Sequence, residues 1–183
     1  RKLADIDEEY YRKRADAARD YQDKIRDINQ SYEEEILTIK QKSAEDAEKH
    51  RNDDLKREQE YQNKLLEMKE NYLMSLEDAL HSRDARQVLK LMRQYELDKL
   101  QAARQHDLDM SQADQDEKLR RRAIELELKK AKDKRAIALA EAKQEYEDKL
   151  AQMAIDQKRE AEDARLARNR KLEDLAKANQ DKM

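Results

Sequence analysis

A chain of 183 residues with no glycine and no proline has almost no ordinary means of turning. Glycine supplies positive φ without steric cost, and proline presets the first corner of the common turns. An average chain of this length would carry about a dozen glycines. Sandwiches, barrels and doubly wound sheets need many tight turns and are excluded. Long helix or disorder remains. Charged residues make up 46% of the chain and hydrophobic ones 37%, a balance that often accompanies disorder. Against disorder, the sequence consists mostly of Ala, Leu, Glu, Lys, Arg, Gln and Met, all strong helix formers. Its charges also pair four apart in the favoured order, as in Asp20/Lys24, Glu45/Lys49, Glu60/Lys64 and Glu145/Lys149. Each exposed pair contributes only ~0.2–0.5 kcal/mol, so apolar packing must supply the rest.

That packing repeats every eleven residues. From Leu3, steps of three, four and four visit Leu3, Ile6, Tyr10, Arg14, Ala17, Tyr21, Ile25, Ile28, Tyr32, Ile36 and Ile39, and only Arg14 is neither apolar nor aromatic. A heptad frame from the same Leu3 meets Asp7, Arg14, Lys24, Ser31, Glu35 and Thr38, which rejects it. The second half repeats the pattern through Leu128, Ala131, Leu139, Ala142, Tyr146, Leu150 and Met153. Its interruptions, Arg135, Gln157, Arg168 and Asn179, share one lane with Tyr146, which predicts a seam with one wet edge. Eleven residues over three turns is ~3.67 per turn, so the expected supercoil is right-handed or nearly straight.

The predicted fold is all-α: a long helix in an oligomeric hendecad coiled coil, whose broad seam favours an assembly above the dimer. Its seam comprises Leu3, Ile6, Tyr10, Ala17, Tyr21, Ile25, Ile28, Tyr32, Ile36, Ile39, Tyr61, Leu65, Tyr72, Leu76, Leu80, Leu91, Tyr95, Leu128, Leu139, Tyr146, Leu150, Met153, Leu172 and Leu175. The chain divides into a first helix over 1–80, a register shift, kink or turn over 81–87, and a second helix over 88–183. The lane ending at Leu80 and the lane of Leu128 differ by four residues, a stutter that one continuous helix can absorb. The alternative is an antiparallel helical hairpin turning near Ser82–Asp84, with Ser82 or Asp84 capping the second helix. Continuity is the first reading, because no glycine is present to end a helix sharply. Within the first helix the seam is polar over residues 43–60, and within the second Leu97, Leu108 and Leu119 extend the eleven-residue spacing through a charged stretch.

Little chemistry is expected of such a chain. Without cysteine there are no disulfides, thiolate nucleophiles or sulfur-ligated zinc sites. His-Glu-x-x-His, repeated Glu-x-x-His and Gly-rich phosphate loops are all missing. Asp78/His81 and His106/Asp109 stand three apart but read as surface neighbours in an acidic chain. The sequence therefore predicts no enzyme, no metal and no cofactor. His50 falls in a seam lane between Ile39 and Tyr61; it reads as a polar interruption that sets register, or as a protonation-sensitive point in the seam. Arg120-Arg121-Arg122 reads as a solvated face. The net charge of −3, with both signs interleaved, gives no footprint for nucleic acid. No stretch approaches the ~20 apolar residues of a membrane span. The first residue is Arg1 rather than Met, and the chain reads as a segment of something longer.

The sequence resembles a known family. Its Asp-Tyr-Gln-Asp-Lys-Ile-Arg-Asp-Ile run (Asp20 to Ile28), the tyrosines at eleven-residue intervals and the dense stretch LEDALHSRDARQVLKLMRQYELDKL from Leu76 are similar to the low-complexity segments of phage and prophage tail tape measure proteins. The resemblance is one of composition and period over most of the chain. It implies a structural rod whose helical span sets length, several copies side by side in the virion tail lumen, and tail-tube proteins as neighbours. At ~1.5 Å per residue a single straight helix of this chain would extend roughly 275 Å. Without that resemblance, a cellular stalk or stator, a solitary charged helix, or a protein-binding helical scaffold in the cytoplasm would fit the same residues.

Overall fold

The computed structural model describes residues 2–182, and among them it contains two helices and no strand. Helix α1 runs Leu3–His81 and helix α2 runs Ala85–Gln180. The fold is all-α, as the absence of turn residues requires.

Residues 82–84 form a turn, which corrects the continuous helix expected across 81–87 in favour of the hairpin alternative. The turn has a defined hydrogen-bond pattern. The Arg83 amide donates to the Leu80 carbonyl and the Asp84 amide to the Ala79 carbonyl, both at 3.1 Å. This is the Schellman arrangement, which satisfies helix-end carbonyls and requires a left-handed residue. Arg83 occupies that position at φ 56°. A side chain there costs about 1–2 kcal/mol, so the motif persists without glycine at some strain. Asp84 then starts α2. Its Oδ1 accepts the Gln87 amide at 3.1 Å, and its carbonyl accepts the Val88 amide at 3.1 Å. Of the two caps suggested by the sequence, Asp84 is the one used.

The chain divides into two compact units, each built from parts of both helices. The division therefore does not follow the helix boundaries. Unit 2, Leu37–Lys129, contains the turn. Within it Tyr72 stacks on Tyr95 with ring centroids 4.2 Å apart, and Tyr61 stacks on His106 at 4.1 Å. In each pair the two residues stand equally far before and after the Arg83–Asp84 peptide bond, so the helices run antiparallel in a fixed register. By that register Ile39, His50, Tyr61 and Tyr72 face Leu128, Glu117, His106 and Tyr95. All eight are buried or half-buried, and neighbours in either set are eleven residues apart.

Unit 1 comprises Arg1–Ile36 with Lys130–Met183. Within it Tyr21 stacks on Tyr146 at 4.5 Å, and the Arg135 guanidinium lies over the Tyr32 ring at 4.6 Å. These pairs obey the same numbering rule and set Ile6, Ala17 and Ile28 across from Ala161, Leu150 and Leu139. Again all are covered, at eleven-residue intervals. Gln157 Nε2 donates to Asp7 Oδ1 at 2.8 Å, and Lys24 pairs with Glu145, at the edges of the seam.

The most buried side chains are small. Ala17, Ala79, Ala102, Ala113, Ala131 and Ala142 are buried, with Ile6. The register places Ala131 and Ala142 opposite Ile36 and Ile25 within unit 1, and Ala102 opposite Leu65 within unit 2. Large against small lets two helices approach closely and interdigitate without voids.

The strain at Arg83 yields a prediction. Arg83→Gly should raise stability by about 0.5–1 kcal/mol, since glycine takes the left-handed conformation without a Cβ clash. Asp84→Ala should lower it by about 1 kcal/mol through loss of the cap. Urea denaturation followed by circular dichroism measures both.

Candidate functional site

The hairpin covers most of the predicted seam with its own second half. Ile6 and Ala17 are buried; Leu3, Tyr10, Tyr21, Ile25, Ile28, Tyr32, Ile36, Ile39, Tyr61, Leu65, Tyr72, Leu76, Leu91, Tyr95, Leu128, Leu139, Tyr146, Leu150 and Met153 are half-buried. Leu80, Leu172 and Leu175 are not: they are exposed at 59%, 54% and 61%. Leu172 and Leu175 continue the lanes of Leu150 and Met153, but the register exhausts α1 at Leu3, opposite Ala164. Every described residue from Arg165 onward is exposed. Leu80 fails for another reason. The covered positions of α1 change phase by one residue at Arg57, through Met68 to Ala79, leaving Leu80 beside the seam. Leu97, Leu108 and Leu119, read as a seam lane from the sequence, are also exposed, at 53%, 64% and 61%. The covered lane is Tyr95, His106, Glu117 and Leu128, two residues earlier or nine later.

The phase change coincides with the least apolar part of unit 2, and there the side chains form a polar cluster. Covered positions 43, 47, 50, 54, 57 and 61 follow the alternating four-three steps of a heptad for a short stretch. His50 and Asp54, four apart on one face of α1, bring Nε2 and Oδ2 to 3.2 Å. Arg57 Nη1 donates to the other Asp54 oxygen at 2.9 Å. From α2, Glu117 enters the lane opposite His50, its Oε2 3.9 Å from His50 Nδ1. Glu117 is 8% exposed, a buried carboxylate. Arg120 reaches it through two hydrogen bonds, one at 2.8 Å from Nε, and Arg121 Nε donates at 3.3 Å. Arg120 also donates to the Ser43 carbonyl at 3.3 Å and so ties α2 to α1. Arg120 is thus half-buried and structural rather than part of a solvated face, whereas Arg121 and Arg122 are exposed.

These partners explain the electrostatics. The hydrogen bonds from Arg120 hold the Glu117 carboxyl at about 2, below its ordinary 4.5, against the opposing effect of desolvation, with further help from the charges of Arg120 and His50 and the Arg121 bond. The same hydrogen bond to Glu117 raises Arg120. In unit 1 the exposed Glu145 carboxyl is lowered by its hydrogen bond from Lys24.

The other histidines differ in environment. His106 Nε2 lies 3.0 Å from Glu58 of α1 while its ring stacks on Tyr61, so its partners are cross-helix rather than the nearby Asp109. His81 and Asp78 are both exposed. Among the described residues, one group of three potential ligands comes together: His50, Asp54 and Asp114, with donor atoms all within 4.8 Å of one another. Sequence reasoning reached His50 and the polar seam over residues 43–60 that contains Asp54, but missed Asp114, Glu117 and the role of Arg120. Glu117 was traceable, since it stands eleven before Leu128 and eleven after His106.

Comparison with family models, curated proteins and solved structures finds no match. No helix among the described residues is long and apolar enough to cross a membrane.

Two predictions arise here. Tyr72→Cys combined with Tyr95→Cys should oxidise to a disulfide within a single chain, read as a mobility shift on non-reducing gels without a dimer band. A parallel pairing of continuous helices would instead link position 72 to position 72 of another chain. The depressed Glu117 gives a pH prediction. Its folded form holds the proton less tightly than the unfolded chain, so its stabilisation is complete above about pH 4.5 and is lost as pH falls towards 2. Glu117→Gln should flatten the acid limb of a denaturation midpoint against pH in that window.

Proposed function

We propose that this chain is a structural element: a hendecad coiled-coil hairpin that acts as a spacer and assembles with further copies of itself. The observation carrying this reading is a second apolar face on α2. In unit 2 the exposed Leu97, Leu108, Leu119 and Leu126 each follow a covered residue by two positions, and in unit 1 Ile137, Ile155 and Leu166 do the same. Two residues on a helix is ~200° of rotation, so these side chains lie on the face away from α1. The spacing of Leu97, Leu108 and Leu119 is again eleven. A helix with the same period stays in phase with such a stripe, and a second copy of this chain presents one.

The resemblance of the sequence to tape measure segments supports the spacer role from composition alone, and the setting it implies is a virion tail lumen with tail-tube proteins as neighbours. Because the chain reverses at Ser82–Asp84, length-setting by one extended helix requires that turn to open; a spacer built of hairpins does not. The proposal is of a structural protein rather than an enzyme, because the covered side chains are engaged in holding the two helices together.

Sedimentation equilibrium tests the assembly. The wild type should have a mass of two or more chains at micromolar concentration. Leu108→Lys with Leu119→Lys should reduce it to one chain while helicity by circular dichroism is kept. A monomeric wild type, or a variant that retains the assembled mass, would reject the outer face as the contact.

A further inference from the structure

We infer that His50, Asp54 and Asp114 form a binding site for a borderline divalent cation, Zn2+ or Co2+, that cross-links α1 to α2 within unit 2. The three potential donors come from two helices and lie within 4.8 Å of one another. His50 and Asp54 are four apart, which puts both on one helix face, and His50 Nε2 already lies 3.2 Å from Asp54 Oδ2. Asp114 comes from α2 and is exposed. Among the described residues it makes no ion pair or hydrogen bond, so its carboxylate is available. Bonds of ~2.0–2.2 Å around a tetrahedral ion place ligand atoms about 3.4 Å apart. The cluster needs a contraction of up to about 1.4 Å from its 4.8 Å limit, which rotation of the exposed Asp114 side chain can supply.

The surroundings distinguish this group from a chance gathering of acids. A metal-bound histidine normally turns its other ring nitrogen to a carboxylate, which fixes the tautomer and orients the ring. His50 has that arrangement in outline: with Nε2 aimed at the site, Nδ1 faces Glu117 Oε2 at 3.9 Å. Glu117 is in turn held by Arg120 and Arg121. Asp54 is braced in the same way, with Oδ1 bound by Arg57 at 2.9 Å and Oδ2 left for the ion. One imidazole and two carboxylates suit Zn2+ or Co2+ better than the all-oxygen shells of Ca2+ and Mg2+, and water completes the coordination. Two carboxylates also balance the double charge.

The location gives the site a purpose. Here the lane common to both helices passes from Ile39/Leu128 through His50/Glu117, and apolar cover lapses. An ion shared between the helices would fix the register where packing does so least.

The test is titration of the metal-free full-length chain with ZnCl2 by calorimetry, repeated with CoCl2 and paired with thermal melts. The wild type should bind one ion per chain and melt at a higher temperature when loaded. Asp114→Asn should leave the metal-free melting temperature unchanged, since Asp114 makes no hydrogen bond or ion pair among the described residues, and weaken binding at least tenfold. His50→Gln should abolish binding, and His106→Gln should leave it intact. No saturable binding, equal binding by Asp114→Asn, or loss of binding in His106→Gln would overturn the assignment.

Discussion

A chain without glycine or proline can reverse direction only if a residue bearing a side chain accepts the left-handed region. Arg83 does so at φ 56°. The two bonds from Arg83 and Asp84 back to Leu80 and Ala79 satisfy the end of α1, and Asp84 opens α2. Once that turn is closed, the register of unit 2 is set. Tyr72 must meet Tyr95, and Tyr61 must meet His106. The strain at one residue is thus offset by a seam that no longer depends on another chain to cover it.

The seam itself is economical in apolar mass. Its buried members are mostly alanine, with larger residues placed across from them, and its edges are stacked rings and ion pairs. Close approach of the helices makes a small side chain sufficient, because the facing Ile or Leu covers it. The lapse around His50 shows the opposite regime. There a buried Glu117 is tolerated because Arg120 and Arg121 neutralise it and Arg120 also fastens Ser43. A polar seam of this kind adds little net stability, since desolvation opposes each pair. Its contribution is to specificity: a slip of either helix would separate Glu117 from His50 and Arg120 from Ser43.

How much of this was legible depended on the residue. The lane from Ile6 to Ile39 could be read because its members are apolar and its intervals regular. Leu172 and Leu175 could be read as lane members but not as uncovered ones, because coverage depends on where the opposite helix ends. Leu97, Leu108 and Leu119 misled through the same regularity: an outer stripe and an inner seam share one period and differ only in phase. Asp114 carried no signal, since it is one acidic residue among 44 and its meaning arises from His50 on the other helix.

The sequence alone therefore determined that the chain is helical and that its apolar residues repeat every eleven positions. Those properties follow from local propensity and spacing, which each segment carries within itself. The tertiary structure decided what covers the stripe. Period is the same for parallel and antiparallel partners, and for a second copy or the chain's own far half. Only the turn at Arg83, built from backbone bonds between residues with no distinctive composition, chooses between them.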